Sequence, residues 1–250
     1  LLLRSWQTND SPPLPAVHVK PHAGGFQLWI HVPAVSERLA IGNSLDLWLR
    51  NRAEANCLGD IWHPLLTRTL SKASGFKVNE INQSVSASLN ISSDGNITDW
   101  EFVLANIKPV AEIGPNELQA LANRKPKART IPLALKSLKD QLVQLQTLLV
   151  CANTLNKNQL ESGNIELDLP TPTFDALGDL IWQDPFSVGY QWDLPFNEED
   201  PQSIIRPMIT AANIVWAEHI KSLNLPGIII NRTTIDNGTI NDVAKIALAI

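Results

Sequence analysis

The stretch PAVHVKPHAGGFQLWIHV, residues 15–32, decides the fold class. Aromatic and β-branched residues alternate with polar ones on both sides of Gly24-Gly25, and this pattern predicts two antiparallel strands joined by a Gly-Gly turn. A second hairpin is predicted in SVSASLNISSDGNITDWEFVLANI, residues 84–107, where Asp94-Gly95 is a typical tight-turn pair. The chain is therefore expected to contain an antiparallel sheet.

Helices are predicted in four places. Residues 43–59 form the first, with Asn43 or Ser44 as N-cap and Gly59 as terminator. Pro115 lies near the first turn of a second, short helix. Residues 132–149 form the third, with leucines spaced three and four apart, a pattern that indicates core packing. The leucines are Leu135, Leu138, Leu142, Leu145 and Leu149.

The fourth helix is predicted from Asp200-Pro201 to Leu223, and Pro207 is expected to start or kink it. Residues 163–170 are predicted as an alternating strand, and residues 226–231 as a buried strand followed by a further helix. Strands and helices mix without strict βαβ alternation. The expected fold class is therefore mixed α/β, in the α+β sense, with a mixed or antiparallel sheet and packed helices.

Composition limits the possible functions. The 250 residues are 44% hydrophobic and 18% charged, as in a globular protein with a sizeable core. No apolar run reaches about 18 residues, so no membrane span is expected. The net charge of −5 argues against a generic basic nucleic-acid coat but not against a local basic groove. Cys57 and Cys151 lack metal or disulfide spacing, which favours reduced thiols and a cytoplasmic location.

Three groups of residues are candidate metal ligands by residue type. His18, His22 and His31 are more simply solvated or packed histidines. The acidic segment NEED, residues 197–200, precedes a predicted helix, where capping explains it better than metal binding. Glu166 and Asp168 share one strand face but have no third carboxylate nearby. No metal site is predicted from these groups.

The segment NRKPKART, residues 123–130, concentrates positive charge. It is either a phosphate-binding segment or a solvated loop, and its residues do not decide between the two. Its basic residues are Arg124, Lys125, Lys127 and Arg129. The tryptophans fall mostly in predicted strands and helices, where burial is favoured over base stacking.

The segment LWIHVPAVSERLAIGNSLDLWLRNRAEANCLGDIWHPLLTRTLS, residues 28–71, resembles the RNB catalytic domain of the ribonuclease II and ribonuclease R family. The family's V-H-I-A-D-V-like strand corresponds to residues 31–35 and its G-S-x-L-D motif to residues 42–46. GNIELDLPTP (163–172) and IIRPMITAANIVWAEHIKSLNLPGIIINR (204–232) are similar to later family motifs in the same order.

The resemblance implies a processive 3′→5′ exoribonuclease that threads single-stranded RNA into a channel and uses Mg²⁺ to activate a water. The family holds this metal with aspartates in an I-D-x5-D-x-D-D-A motif. Aligned without gaps back from Ala16, the aspartate positions carry no carboxylate here; they are Trp6, Pro12, Leu14 and Pro15. Asp10 lies nearby but out of register, and one carboxylate cannot build such a site.

Other family positions also differ. Ala34 replaces the aspartate of the V-H-I-A-D-V strand, and Cys57 replaces the tyrosine that stacks the RNA end. Arg206 and Pro207 replace a pair of glutamates, and Arg232 replaces the usual histidine. Positions that form the core thus resemble the family, while positions that carry chemistry do not.

The expected protein is therefore a single RNB-like domain over residues 1–250, truncated at both ends relative to the family and impaired in catalysis. RNA binding or a scaffold role in RNA metabolism is the expected function. The expected RNA-binding residues are Arg52, Arg124, Lys125, Lys127 and Arg129.

The alternatives are an active exoribonuclease with acids supplied elsewhere or by Asp10, and a protein-interaction scaffold without RNA. No cofactor is expected unless the chain is active, in which case Mg²⁺ is needed. Single-stranded RNA is a possible partner, DNA and membranes are not expected, and the sequence identifies no protein partner.

Overall fold

The computed structural model of the chain describes residues 2–3, 15–58, 61–125, 128, 130–163, 165–166, 192–193, 196–227, 229 and 245. Its strands are β1 (Leu2–Leu3), β2 (Ala16–His22), β3 (Gly25–Pro33), β4 (Asn56–Leu58), β5 (Ile61–His63), β6 (Asn82–Ile91), β7 (Ile97–Ile107), β8 (Glu112–Ile113), β9 (Ile165–Glu166) and β10 (Trp192–Asp193). Its helices are α1 (Ser44–Arg52), α2 (Arg68–Ser74), α3 (Pro115–Ala122), α4 (Leu142–Glu161) and α5 (Pro201–Ser222), with 3₁₀ segments at Val35–Arg38 and Leu133–Gln141.

Six of these strands form one sheet in the order β7-β6-β3-β2-β1-β8. The four long strands β2, β3, β6 and β7 pair antiparallel with their neighbours, and only the short β1 and β8 pair parallel. Within the described residues, β4 with β5 and β9 with β10 form two further two-stranded sheets. The predicted mixed fold, with an antiparallel sheet and packed helices, is confirmed.

The first predicted hairpin is confirmed as β2 and β3, but its turn is Ala23-Gly24 rather than Gly24-Gly25. His22 pairs with Gly25, and both turn residues have positive φ, 46° and 80°, as a two-residue hairpin requires. Gly25 already belongs to β3, where a Cβ atom would lie 2.0 Å from the carbonyl oxygen of Ile91. Its glycine is therefore needed for close packing in the strand and not for the turn.

The second hairpin is confirmed as β6 and β7, with a connection longer than a two-residue turn. Five residues, 92–96, separate the two strands, and the N–H of Ser92 donates to the carbonyl of Asn96 at 2.9 Å. Only Gly95 in it has positive φ, 82°. The side chain of Asn158 on α4 donates to the carbonyl of Asp94 at 3.1 Å, which ties this connection to the helix layer.

One face of the sheet packs against helices and forms the core. Register places Val17, Ile30, Ala87 and Phe102 in one row, and Val19, Leu28, Leu89 and Trp100 in the next. These rows pack with the buried leucines of α4 and with Ile204, Ile205, Met208, Ala211 and Val215 of α5. The opposite face carries the alternate residues, which are mostly polar, as expected for a sheet with one face on the core.

All five leucines of the predicted stripe are buried, but the segment is not one α-helix. Leu133–Gln141 is 3₁₀ helix with a non-helical residue at Leu138, and α4 then continues to Glu161. The predicted short helix is α3, with Pro115 at its first position. The fourth predicted helix is α5, which starts at Pro201 and includes Pro207 in its interior.

The predicted helix 43–59 is wrong at its end. Asn43 caps α1 by accepting a hydrogen bond from the N–H of Asp46 at 2.7 Å, as expected, but the helix stops at Arg52. Ala53 has φ 65°, which helical backbone does not adopt, and residues 56–58 pair as β4 with β5. Residues 56–58 thus form a β-hairpin with β5 instead of extending α1.

The predicted strand 163–170 is described only at β9, and the strand and helix predicted after residue 226 lie almost wholly outside the described residues. Across the part of the chain that the structure covers, no helix is long and apolar enough to cross a bilayer.

Candidate nucleic-acid interface

Two positions at which the resemblance expects aspartates, one of them in the metal-binding motif, lie at the same end of the sheet. Pro15 is buried directly before β2, and Ala34 is buried directly after β3. Ala16 pairs with His31, so the start of β2 lies beside the end of β3. The N–H of Ala34 donates to the carbonyl of Gln83 at 3.2 Å, which continues the sheet by one residue. Neither side chain has an atom that can bind a cation.

The polar groups beside these two residues form a chain of hydrogen bonds. Nδ1 of His31 lies 2.7 Å from Oγ of Ser86, which lies 2.9 Å from Oγ of Ser84. The Ser84 hydroxyl donates to the carbonyl of Ala105 at 3.1 Å. Because each hydroxyl has one hydrogen, Ser86 donates to Ser84, and His31 must donate from Nδ1–H. The chain therefore fixes the tautomer of His31.

Burial lowers the pKa of His31 to about 4, and it also lowers the pKa of His18. The two rings lie on the same sheet face in neighbouring strands, and the side chain of Gln144 contacts Nδ1 of His18. Both imidazoles are thus neutral near pH 7. β2 extends through His22, which is exposed, so His22 shares the strand face of His18.

These residues do not fit the magnesium site that the family implies. Mg²⁺ takes oxygen ligands with several carboxylates or waters, whereas this end of the sheet offers a proline, an alanine, neutral imidazoles and hydroxyls. Among the described residues, no group of three His, Cys, Asp or Glu side chains is placed to hold a metal. Trp6, Asp10, Pro12 and Leu14 lie outside the described residues.

The acidic segment 197–200 lies directly before α5, as predicted. The N–H of Glu199 donates to Oδ1 of Asn197 at 2.9 Å, and the Glu199 carboxylate accepts from Gln119 and Asn123 at 3.3 and 3.2 Å. Its contacts thus connect the start of α5 to α3. Glu166 is described only as part of β9, and Asp168 lies outside the described residues.

The predicted basic segment is described only in part. Arg124 follows α3 and is half-buried; its guanidinium donates to the carbonyl of Ala128 at 2.6 Å, and its Nε atom is buried with no hydrogen-bond partner among the described residues. The Arg124 side chain is therefore engaged with a backbone carbonyl four residues further along the chain. Lys125 is exposed and available to an anion, while Lys127 and Arg129 lie outside the described residues.

Arg52 lies on a different element, in the last turn of α1. Its Cζ atom lies 5.4 Å from the centre of the Trp48 ring, one helical turn earlier. On the same helix, Nε of Arg50 donates to Oδ2 of Asp46 at 3.0 Å, and the N–H of Gly42 donates to that same oxygen at 2.8 Å. These hydrogen bonds, that of Gly42 foremost, lower the pKa of Asp46.

Sequence reasoning missed two of these arrangements. The chain from His31 to Ser84 follows from strand alternation, because Ser84, Ser86 and Ser88 occupy one face of β6 and their partners in β3 lie on the same face. The pair of Trp48 and Arg52 follows from four-residue spacing on a helix. Neither pattern by itself distinguishes a functional contact from a structural one.

The sequence matches the profile of the RNB domain over residues 1–249. The chain belongs to the RNB domain family. This confirms the resemblance to the RNB domain of the ribonuclease II and ribonuclease R family. No curated protein matches the sequence.

Solved structures with similar folds include exoribonucleases and a pseudonuclease. Mycoplasma genitalium RNase R in complex with double-stranded RNA is 14% identical, with a TM-score of 0.66, over 90% of this chain and 37% of that one. The Dss1 exoribonuclease of Candida glabrata, solved as an active-site mutant, is 13% identical, with a TM-score of 0.66, over 90% and 30%. Yeast Ssd1, a pseudonuclease, is 17% identical, with a TM-score of 0.58, over 84% and 24%.

At these identities the likeness concerns the fold alone. The chain spans about a third of the length of the RNase R structures that it matches. The fold is thus shared by an exoribonuclease and a pseudonuclease, and the residues of this chain must indicate which of the two it resembles in activity.

Proposed function

We propose that this RNB domain binds single-stranded RNA and does not hydrolyse it. The observation that supports the proposal most strongly is the sheet end at Pro15 and Ala34. Two positions that should supply carboxylates are buried apolar residues, and a neutral imidazole and two hydroxyls lie on the strands beside them. The described residues bring no converging oxygen ligands to this end of the sheet, and we infer that it does not activate a water on Mg²⁺.

RNA binding does not require these acids. Protein–RNA contacts are made largely to phosphates by arginine and lysine and to unpaired bases by aromatic rings. Arg52 and Lys125 supply cations, and Trp48 supplies an exposed ring. One protein of similar fold, Mycoplasma genitalium RNase R, was solved both with double-stranded RNA and with ribose-methylated single-stranded RNA. We further propose a cytoplasmic location, supported by Cys151, which is a free thiol.

The test combines a nuclease assay and a binding assay on the 250-residue chain. A 5′-labelled single-stranded RNA is incubated with the protein and Mg²⁺ or Mn²⁺, beside an active RNB exoribonuclease. We expect full-length RNA where the control enzyme degrades it, together with a mobility shift that weakens as salt is raised. Shortening from the 3′ end that a chelator abolishes would instead establish an active exoribonuclease, and Asp10 would be the first residue to substitute. Intact RNA without a shift would favour a protein-interaction scaffold.

A further inference from the structure

Helix α1 displays a tryptophan that the core does not use. Asp46 and Leu49 are the residues of α1 that are buried, while the Trp48 side chain remains 44% exposed. Leu47 next to it is exposed as well. A large aromatic ring held at the surface loses the hydrophobic stabilisation that burial would give it. Among the described residues, Trp48 belongs neither to the core nor to the apolar side chains packed against it.

Trp216 has the same exposure, 45%, but a structural explanation. Its ring packs edge-on against Phe102 of β7 at 5.1 Å between centres, and against His219 at 6.1 Å. It completes the contact between α5 and the sheet. The comparison shows that exposure alone does not mark a binding site, and that Trp48 differs by lacking an aromatic or core partner among the described residues.

The contact that Trp48 does make is with Arg52. The guanidinium carbon lies 5.4 Å from the ring centre, within the range of a cation–π interaction. The neighbouring carboxylate of Asp46 is already bound by Arg50. No ion pair within the described residues includes Arg52. One indole and one guanidinium are thus held side by side on an exposed helix, and little side-chain ordering remains to be done on binding.

We propose that Trp48 and Arg52 form a stacking platform for one unpaired base of single-stranded RNA, with the guanidinium reaching the adjacent phosphate. A ring face stacks any base, and a guanidinium recognises phosphate with paired N–H donors. The site deepens the proposed RNA-binding function and rests on it. RNA is favoured over a protein partner because the Arg52 guanidinium can contact the Trp48 ring and a phosphate of the RNA backbone at the same time.

The test measures affinity by fluorescence anisotropy with the intact chain and a labelled single-stranded RNA. Trp48→Ala is compared with Trp48→Phe, which keeps a ring, and with Leu47→Ala, which removes exposed apolar area from the same helix. A second ligand has the same ribose-phosphate backbone with abasic positions, so that only stacking is lost. Circular dichroism melts check that each variant is folded.

We expect Trp48→Ala to weaken binding to RNA by about 5- to 150-fold, the range for loss of one base–aromatic stack. Trp48→Phe and Leu47→Ala should stay within about threefold of the parent chain. On the abasic ligand, Trp48→Ala should bind like the parent. Equal RNA affinity of parent and Trp48→Ala would overturn the platform and leave the proposed function intact. Failure of the parent chain to bind RNA would overturn both the platform and the proposed function.

Discussion

Nδ1 of His31 and Oγ of Ser86 lie 2.7 Å apart, on residues that face each other directly across β3 and β6. The register of the sheet, and not a loop, thus places an imidazole against a hydroxyl beside the expected catalytic end. Since Ser86 donates onward to Ser84, the imidazole must donate from Nδ1. We expect ¹⁵N NMR to show His31 as the Nδ1–H tautomer at pH 7, and Ser86→Ala to release this preference. An Nδ1 without hydrogen at pH 7 would contradict the hydrogen-bond chain.

The lowered pKa of His31 predicts loss of stability in mild acid. Its folded pKa is about 4, below the ordinary value of 6.5, so in between the unfolded chain takes up a proton that the folded chain does not. The free energy of unfolding should fall as pH drops from 6.5 towards 4, by at most about 1.4 kcal/mol per pH unit and less because the ring is only partly buried. His18 adds to the effect in the same direction.

Urea unfolding at pH 7, 6 and 5 measures this effect. The matched variant is His31→Gln, which keeps a hydrogen-bond donor towards Ser86 but does not titrate. Its stability should fall less steeply with pH than that of the parent chain. Parallel curves for the two proteins would mean that His31 does not control the acid sensitivity.

The two hairpin glycines should respond differently to alanine. Gly25→Ala places a Cβ atom 2.0 Å from the carbonyl oxygen of Ile91, a backbone atom that cannot move aside, so we expect a loss of about 3 kcal/mol or more in the free energy of unfolding. Gly24→Ala meets no atom within 4 Å and pays only for its φ of 80°, about 1 kcal/mol. Urea unfolding of both variants tests the order, and a larger loss at Gly24 would refute it.

The buried leucines of α4 predict a similar contrast within that helix. Leu148 is fully buried against the sheet, so Leu148→Ala should lower the free energy of unfolding by about 2–5 kcal/mol through lost burial and a cavity. Val143 on the same helix is 76% exposed, and Val143→Ala should change it by about 0.5 kcal/mol or less. Comparable losses of unfolding free energy in both variants would mean that α4 does not pack through its buried leucines.

Sequence patterns predicted the sheet and most helices because these depend on local alternation and spacing. The two hairpins, the leucine stripe and the limits of α5 all follow from residues close in the chain. The end of α1 did not, because it depends on Ala53 taking φ 65° so that residues 56–58 can pair with β5. The local pattern predicts Gly25 in the turn. The close approach of Gly25 to Ile91 is not visible in that pattern, because Ile91 belongs to a strand far along the chain.

The candidate site, too, could be predicted from the sequence only in part. The sequence alone already indicates that Pro15 and Ala34 carry no metal ligand, because that follows from residue identity. That both are buried at one end of the sheet depends on the pairing of β2 with β3. The spacing of Trp48 and Arg52 is visible in the sequence, but the exposure of the ring depends on which face of α1 packs inward.

The contribution of Arg52 to RNA binding is measurable through salt dependence. Each phosphate neutralised on a single strand contributes about −0.7 to the slope of log affinity against log salt. If Arg52 contacts one phosphate, Arg52→Gln should make the slope shallower by about 0.7, and Lys125→Gln should act alike, since its side chain is exposed. Arg124→Gln serves as the contrasting variant, because that guanidinium is engaged with Ala128. It should lower thermal stability and leave the slope unchanged. Unchanged slopes for both Arg52→Gln and Lys125→Gln would remove these residues from the RNA interface.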